Sequence, residues 1–276
     1  MRKLLFTVLA AFAVLGCSNN DDMPCATCGY GYYENHSNPY SSSSVPTQTN
    51  PYSSSSVPTQ TNPYSSSSVP TQTGIIRGPN VYHGNDNYET VQIGNQVWMA
   101  KNLNYDVPGS KCYNNDPANC AEYGRLYDWA TAMDISSSYN RSYYIPSAST
   151  KYKGICPSGW HIPNNADWDK LVRYVDGTND TSSHYNSPTA GKYLKATSGW
   201  NSNGNGNDKY GFSALPGGHG SSGGYFGNVG DNGGWWSASE YSSNYANYRI
   251  MDYYDEYVGY NDIDKGNVFS VRCVQD

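Results

Sequence analysis

The chain has 276 residues, 7 of them cysteine, and a formal net charge of -6 at pH 7. That balance excludes a nucleic-acid partner of the usual kind, which needs clustered Lys and Arg. Only 14% of residues are charged while 28 are Tyr and 28 are Gly, so solubility rests on neutral polar groups, a composition suited to an exported protein.

Arg2 and Lys3 precede an apolar run over residues 4–15. The run is too short to span a bilayer, which takes roughly 20 residues, and has the length of a signal-peptide core. It ends in Val14-Leu15-Gly16-Cys17, which resembles the bacterial lipobox. The resemblance implies cleavage after residue 16 and acylation of Cys17, a membrane partner through a lipid anchor, and a cell-envelope location. Ser18 is compatible with the outer membrane, and surface exposure is the further expectation.

Residues 18–80 are expected to form a tether. Within them, residues 38–73 are three identical copies of Asn-Pro-Tyr-Ser-Ser-Ser-Ser-Val-Pro-Thr-Gln-Thr. Each unit offers only Tyr and Val for burial, and its prolines interrupt helix and sheet ladders, so a spacer is expected rather than a solenoid. Fully extended, it would reach on the order of 100 Å at about 3.1 Å per residue. Cys25 and Cys28 form a Cys-x-x-Cys pair within this tether. A redox motif needs a strand-to-helix setting, so a local disulfide or an intermolecular one is the expectation here.

The folded domain is expected over residues 81–276. Residues 90–99 alternate around Gly94-Asn95 and predict a hairpin. Residues 122–134 carry Leu126, Trp129, Ala130 and Met133 at helical spacing. A second helix is marked by Asn164 or Asn165 as cap and by the stripe Trp168, Leu171, Val172 and Val175. Residues 190–196 predict a short third helix, and residues 267–274 a last strand with Phe269, Val271 and Cys273 on one face. With Cys17 lipidated, six cysteines remain, which allow fifteen pairings. Cys112 and Cys120 flank a short loop and pair most simply with each other, leaving Cys156 for Cys273.

Six segments, VQIGNQVWMAKNLNY, EYGRLYDWATAM, CPSGWHIPNNADWDKL, NDKYGFSALPGG, WWSASEY and FSVRCV, occur in that order. Together they resemble the Fibrobacter succinogenes major paralogous domain from about residue 91 to the end. The resemblance implies an α+β, C-type lectin-like domain: two main helices, a twisted antiparallel sheet and long Gly/Asn/Ser-rich loops. It also implies export, often as a lipoprotein, and leaves the biochemical role open.

Searching for chemistry yields no catalytic residue and no enzyme assignment. The histidines His36, His83, His161, His184 and His219 lack metal-ligand spacing. Gly217-Gly218-His219-Gly220 lacks a Gly-x-Ser-x-Gly partner, and its glycines are expected in tight turns. Asp167/Asp169 and Asp252/Asp255 could be drawn as a glycosidase dyad, but sequence proximity does not set carboxylate spacing. Formylglycine-generating enzymes share the implied fold and use a cysteine pair near the C-terminus, whereas Cys273 here is expected to be structural. No cofactor is expected. A structural calcium is the alternative, in the oxygen-rich loops 201–208 or 227–232, although Asp208 is the sole carboxylate of the first.

Residues 241–264 hold Tyr241, Tyr245, Tyr248, Tyr253, Tyr254, Tyr257 and Tyr260 among Asn, Ser and Asp. Tyr offers a broad, rigid face and a hydroxyl, and small polar residues adapt around it, as in antibody paratopes. These seven tyrosines are the expected ligand-binding surface. Its expected role is non-catalytic recognition or adhesion, with polysaccharide or a cell-surface protein as partner. The alternatives are a retroelement-diversified protein-display domain and an enzyme of the formylglycine-generating type.

Overall fold

The computed structural model describes residues 74–144 and 151–276. Cys17, Cys25, Cys28, His36 and the repeats lie outside the described residues. The first strand, β1 (Ile76–His83), begins ahead of the expected start at residue 81 and pairs antiparallel with β2 (Asp86–Ile93). β2 is buried on both faces, Tyr88 in one core cluster and Val91 and Ile93 in another, while Asn87, Glu89 and Gln92 face water. The Gly94-Asn95 turn then returns the chain into β3 (Gln96–Met99), giving the expected hairpin in register Ile93↔Gln96.

The single helix expected over residues 122–134 is two short ones, α1 (Pro117–Tyr123) and α2 (Trp129–Ala132). Gly124 separates them at φ +80, and a Cβ there would lie 2.9 Å from the Leu103 carbonyl oxygen. Residues 125–127 run extended between them, so Leu126 and Trp129 reach the core without sharing a helix. Beyond β4 (Trp160–His161), α3 (Asn165–Asp176) follows the expectation closely. Asn164 caps it by accepting from the Asp167 N–H, the Asp167 carboxylate accepts from the Asn164 N–H, and Gly177 ends it in the left-handed region. The short third helix is α4 (Ala190–Leu194).

Five further strands form a second sheet: β5 (Gly217–Gly220), β6 (Phe226–Val229), β7 (Asn232–Glu240), β8 (Tyr245–Asp252) and β9 (Gly259–Asp264). The 217–220 glycines are therefore strand rather than turn. Gly218 is required because a Cβ there would meet the Gly227 carbonyl oxygen of β6 at 2.4 Å. With β10 (Val274–Gln275), the sheet orders are β1-β2-β3-β10-β4 and β6-β5-β7-β8-β9. The α+β class holds, but there are two five-stranded sheets instead of one, and β5 pairs parallel with β7.

The segment 267–274 stitches the two sheets together. Val268 bridges Gly220, Ser270 bridges Trp235, and Val274 joins β3 and β4. Its inward residues Phe269, Val271 and Cys273 lie in one core cluster with Tyr127, Trp129, Trp160 and Trp236. A second cluster packs the α3 stripe, Trp168, Leu171, Val172 and Val175, on Val91, Ile93 and Trp98 of the first sheet. Cys156 is bonded to Cys273 inside the first cluster, and Cys112 to Cys120 at α1.

Lys195, Arg249, Lys265 and Arg272 are buried cations of this frame. Arg249 of β8 pairs with Asp169 of α3. Arg272 donates to Asn102 Oδ1 and to the carbonyls of Met99 and Phe212, and burial lowers its guanidinium pKa to about 9. Lys265 donates to Glu240 Oε1 at 2.6 Å and to the carbonyls of Tyr139, Ser142 and Ser243. The Arg249–Asp169 and Lys265–Glu240 pairs hold their elements in one arrangement because removing either partner strands a charge in a dry interior.

Candidate functional site

The seven tyrosines do not form one face. β8 spans Tyr245–Asp252, so its two ends lie about 24 Å apart at about 3.4 Å per residue. Tyr241 and Tyr245 sit at the β7–β8 end, 63% and 43% exposed. Tyr253, Tyr254 and Tyr257 sit in the β8–β9 loop at the opposite end. Tyr248, between them, is not a surface residue: it is buried against Phe269, and burial raises its phenol pKa to about 12. Tyr260 is half-buried, with its ring stacked on His184 at 4.4 Å and close to the Arg249 guanidinium. The division follows from β8 itself, which is buried on both faces from Ala246 to Arg249 and leaves tyrosines exposed only at its ends and in the flanking loops.

The β8–β9 loop is fixed through its backbone. Lys195, the residue after α4, is buried and its Nζ donates to the carbonyls of Asp252 (2.9 Å) and Asp255 (2.7 Å). The Gly191 N–H donates to Glu256 O at 2.9 Å, Tyr253 N–H to Asp231 O at 2.8 Å, and Val258 N–H to Ser187 O at 2.9 Å. On this frame Tyr254 is 70% exposed and Tyr257 39%, with Tyr253 edge-on to Tyr254 at 5.4 Å. Asp252, Asp255 and Glu256 surround the rings and make the loop acidic. Asp252 is raised to about 6, first by burial and then by the Asp255 charge. The same Asp252 charge, followed by partial burial, raises the Tyr254 phenol.

At the other end the backbone of Tyr144 is tied to Glu240, the residue before Tyr241, and the exposed Tyr143 and Tyr144 are not among the seven expected tyrosines. Tyr144 N–H donates to Glu240 Oε1 at 3.0 Å, and Lys265 beneath it holds both segments. Nothing in the local sequence of Lys265 or Lys195 marks this role, since each partner lies far along the chain.

His161, Asp167, Asp169, His83 and His219 are engaged in the frame, whereas Asp252 ends β8 and Asp255 lies in the β8–β9 loop. His161 lies between Asp276 (2.8 Å) and Asp167 (3.2 Å), and Asp167 also closes the α3 cap. Asp169 accepts from the His184 and Tyr185 N–H groups as well as from Arg249. His83 meets the Ile155 carbonyl, and His219 stacks on Phe269; burial is the main cause that lowers both. In the 201–208 loop the oxygens serve the loop itself. Asn205 Oδ1 accepts from Trp200 N–H, Asn207 Oδ1 from Lys209 N–H, and Asp208 from Ser213. Among the described residues no group of three or more His, Cys, Asp or Glu is placed to hold a metal.

An α+β domain of two sheets, closed by two disulfides and displaying a tethered aromatic loop, is the class of protein this geometry defines. The model of the Fibrobacter succinogenes major domain family matches residues 91–275, and the chain belongs to that family. No curated protein and no solved structure matches it.

Proposed function

We propose that the chain is a cell-envelope lipoprotein, anchored through Cys17, whose terminal domain recognises a neutral polysaccharide without catalysis. The single observation that carries this reading is the β8–β9 loop: five backbone tethers hold Tyr253, Tyr254 and Tyr257 on an acidic rim. A fixed aromatic face loses little conformational entropy on stacking against a sugar ring, and flanking Asp side chains accept its hydroxyl hydrogens. The carboxylates disfavour an anionic glycan. A C-type lectin-like assignment is consistent with a final segment bonded back to a cysteine ahead of the main helix, and it remains part of this proposal.

A second reading has its own support. The two exposed tyrosine groups, about 24 Å apart along β8, match the span of a protein interface of roughly 800 Å² per partner better than one sugar ring. A glycan array and a pull-down from surface extracts, run on the full chain, separate the two. Polysaccharide recognition predicts an array signal that Tyr254→Ala with Tyr257→Ala abolishes and Tyr241→Ala with Tyr245→Ala leaves intact. Protein display predicts no array signal and a captured protein lost in both variants. An array signal indifferent to Tyr254 and Tyr257 sinks the proposal.

A further inference from the structure

A groove of about 360 Å³ lies between the β1–β2 turn, residues 104–106 and α1, with the Cys112–Cys120 bridge in its wall. It shares no lining residue with the β8–β9 loop, and its volume falls at the small end of the roughly 300–1,000 Å³ range of ligand sites.

The charges around it cancel. Asp106 pairs with Arg125 at 2.6 Å, and Asp86 with Lys101 at 3.3 Å. An anion would meet Asp86 and Asp106, and a cation would meet Arg125, so neither gains a net attraction. The lining alternates hydrogen-bonding groups with the apolar faces of Tyr105, Pro117 and Ala121. Asn104 Nδ2 donates to Asp86 Oδ2 at 3.1 Å, which fixes the amide and makes Oδ1 the atom left over. Neither Asn104 Oδ1 nor Arg125 Nε finds a partner among the described residues. Both atoms are shielded from solvent in this arrangement, and an unpaired buried polar atom costs about 1–3 kcal/mol. A small shift that opens either atom to the groove, with the Asn104–Asp86 and Arg125–Asp106 contacts kept, relieves that cost if the occupant supplies a donor for the first and an acceptor for the second.

We infer that this groove is a second binding site, for a neutral, hydroxyl-rich ring the size of a single sugar unit. Hydroxyls supply both donor and acceptor, a C–H face suits Pro117 and Ala121, and the absence of ligand charge suits the balanced rim.

The test titrates the isotope-labelled full chain with glucose, galactose, mannose and N-acetylglucosamine, and with glucosamine and glucuronate as charged counterparts. The side-chain N–H resonances of Arg125 and Asn104 are followed. The inference predicts saturable shifts with at least one neutral sugar, and binding weaker by about tenfold for its charged counterpart, the equivalent of one lost hydrogen bond. Ala121→Trp, from an exposed position of α1, fills the groove without removing a hydrogen bond and is expected to abolish the shifts. Tyr254→Ala with Tyr257→Ala is expected to leave them unchanged, so failure of the tyrosine-loop reading and failure of this one are separately visible. No response to any neutral sugar, a response that survives Ala121→Trp, or equal binding of the charged sugars overturns it.

Discussion

Replacing Cys156 and Cys273 together by Ala should cost far more stability than replacing Cys112 and Cys120. The first bridge closes a separation of 117 residues and the second a separation of 8. In the chain-entropy account, the loss from the unfolded ensemble is about 5 kcal/mol for the long loop and about 2.5 kcal/mol for the short one. Burial adds to the difference, since both Cys156 and Cys273 are fully buried beside Trp160 and Val271. A small domain has only about 5–15 kcal/mol in total, so the long-loop variant should be marginal at room temperature while the short-loop variant stays folded. Urea denaturation of the full chain, parent and both double variants, gives the two differences directly. Equal losses, or a larger loss for the short loop, would refute the reasoning.

Lys265→Met should destabilise by about 3–5 kcal/mol, because the Glu240 carboxylate keeps its burial and loses its countercharge. Hydrogen exchange should then quicken at residues 137–144, which Lys265 ties to β7; unchanged exchange would contradict the tether. Asp252 supplies a pH dependence. Its folded pKa of about 6 exceeds the ordinary 3.8, so its stabilising contribution is complete below pH 3.8 and is lost as pH rises through 6. The group is half-buried, and with solvent screening the effect is on the order of 1 kcal/mol. Denaturation midpoints at pH 4 and pH 7 should therefore differ between the parent and Asp252→Asn, with the variant gaining relative stability at pH 7; a constant difference at both pH values rejects it.

Local chemistry was what the sequence made legible. The 90–99 hairpin carries its own turn residues, and α3 carries its cap, apolar stripe and closing Gly177 within fourteen consecutive residues. The broken helix at residues 122–134 was hidden because Leu126, Trp129 and Met133 satisfy helical spacing although Gly124 must pass close to Leu103. The last strand expected over residues 267–274 is regular only at Val274–Gln275, because the residues before it bridge singly to different partners in both sheets, a pairing that local alternation does not show. Among the tyrosines, composition foretold exposed aromatic rings at Tyr241, Tyr245, Tyr254 and Tyr257. It could not separate them into two ends or remove Tyr248, since both depend on where β8 begins and which face it buries. Lys195 escaped notice because its importance lies in two carbonyls more than fifty residues away.

The central claim is that Tyr254 and Tyr257 are presented on a fixed loop and meet the ligand. Oxidative footprinting of the full chain, free and saturated with the polysaccharide that the array selects, measures this residue by residue. The account predicts modification of Tyr254 and Tyr257 in the free chain, protection of both in the complex, and an unreactive Tyr248 throughout. Rings at 254 and 257 that stay equally reactive with ligand bound would contradict it.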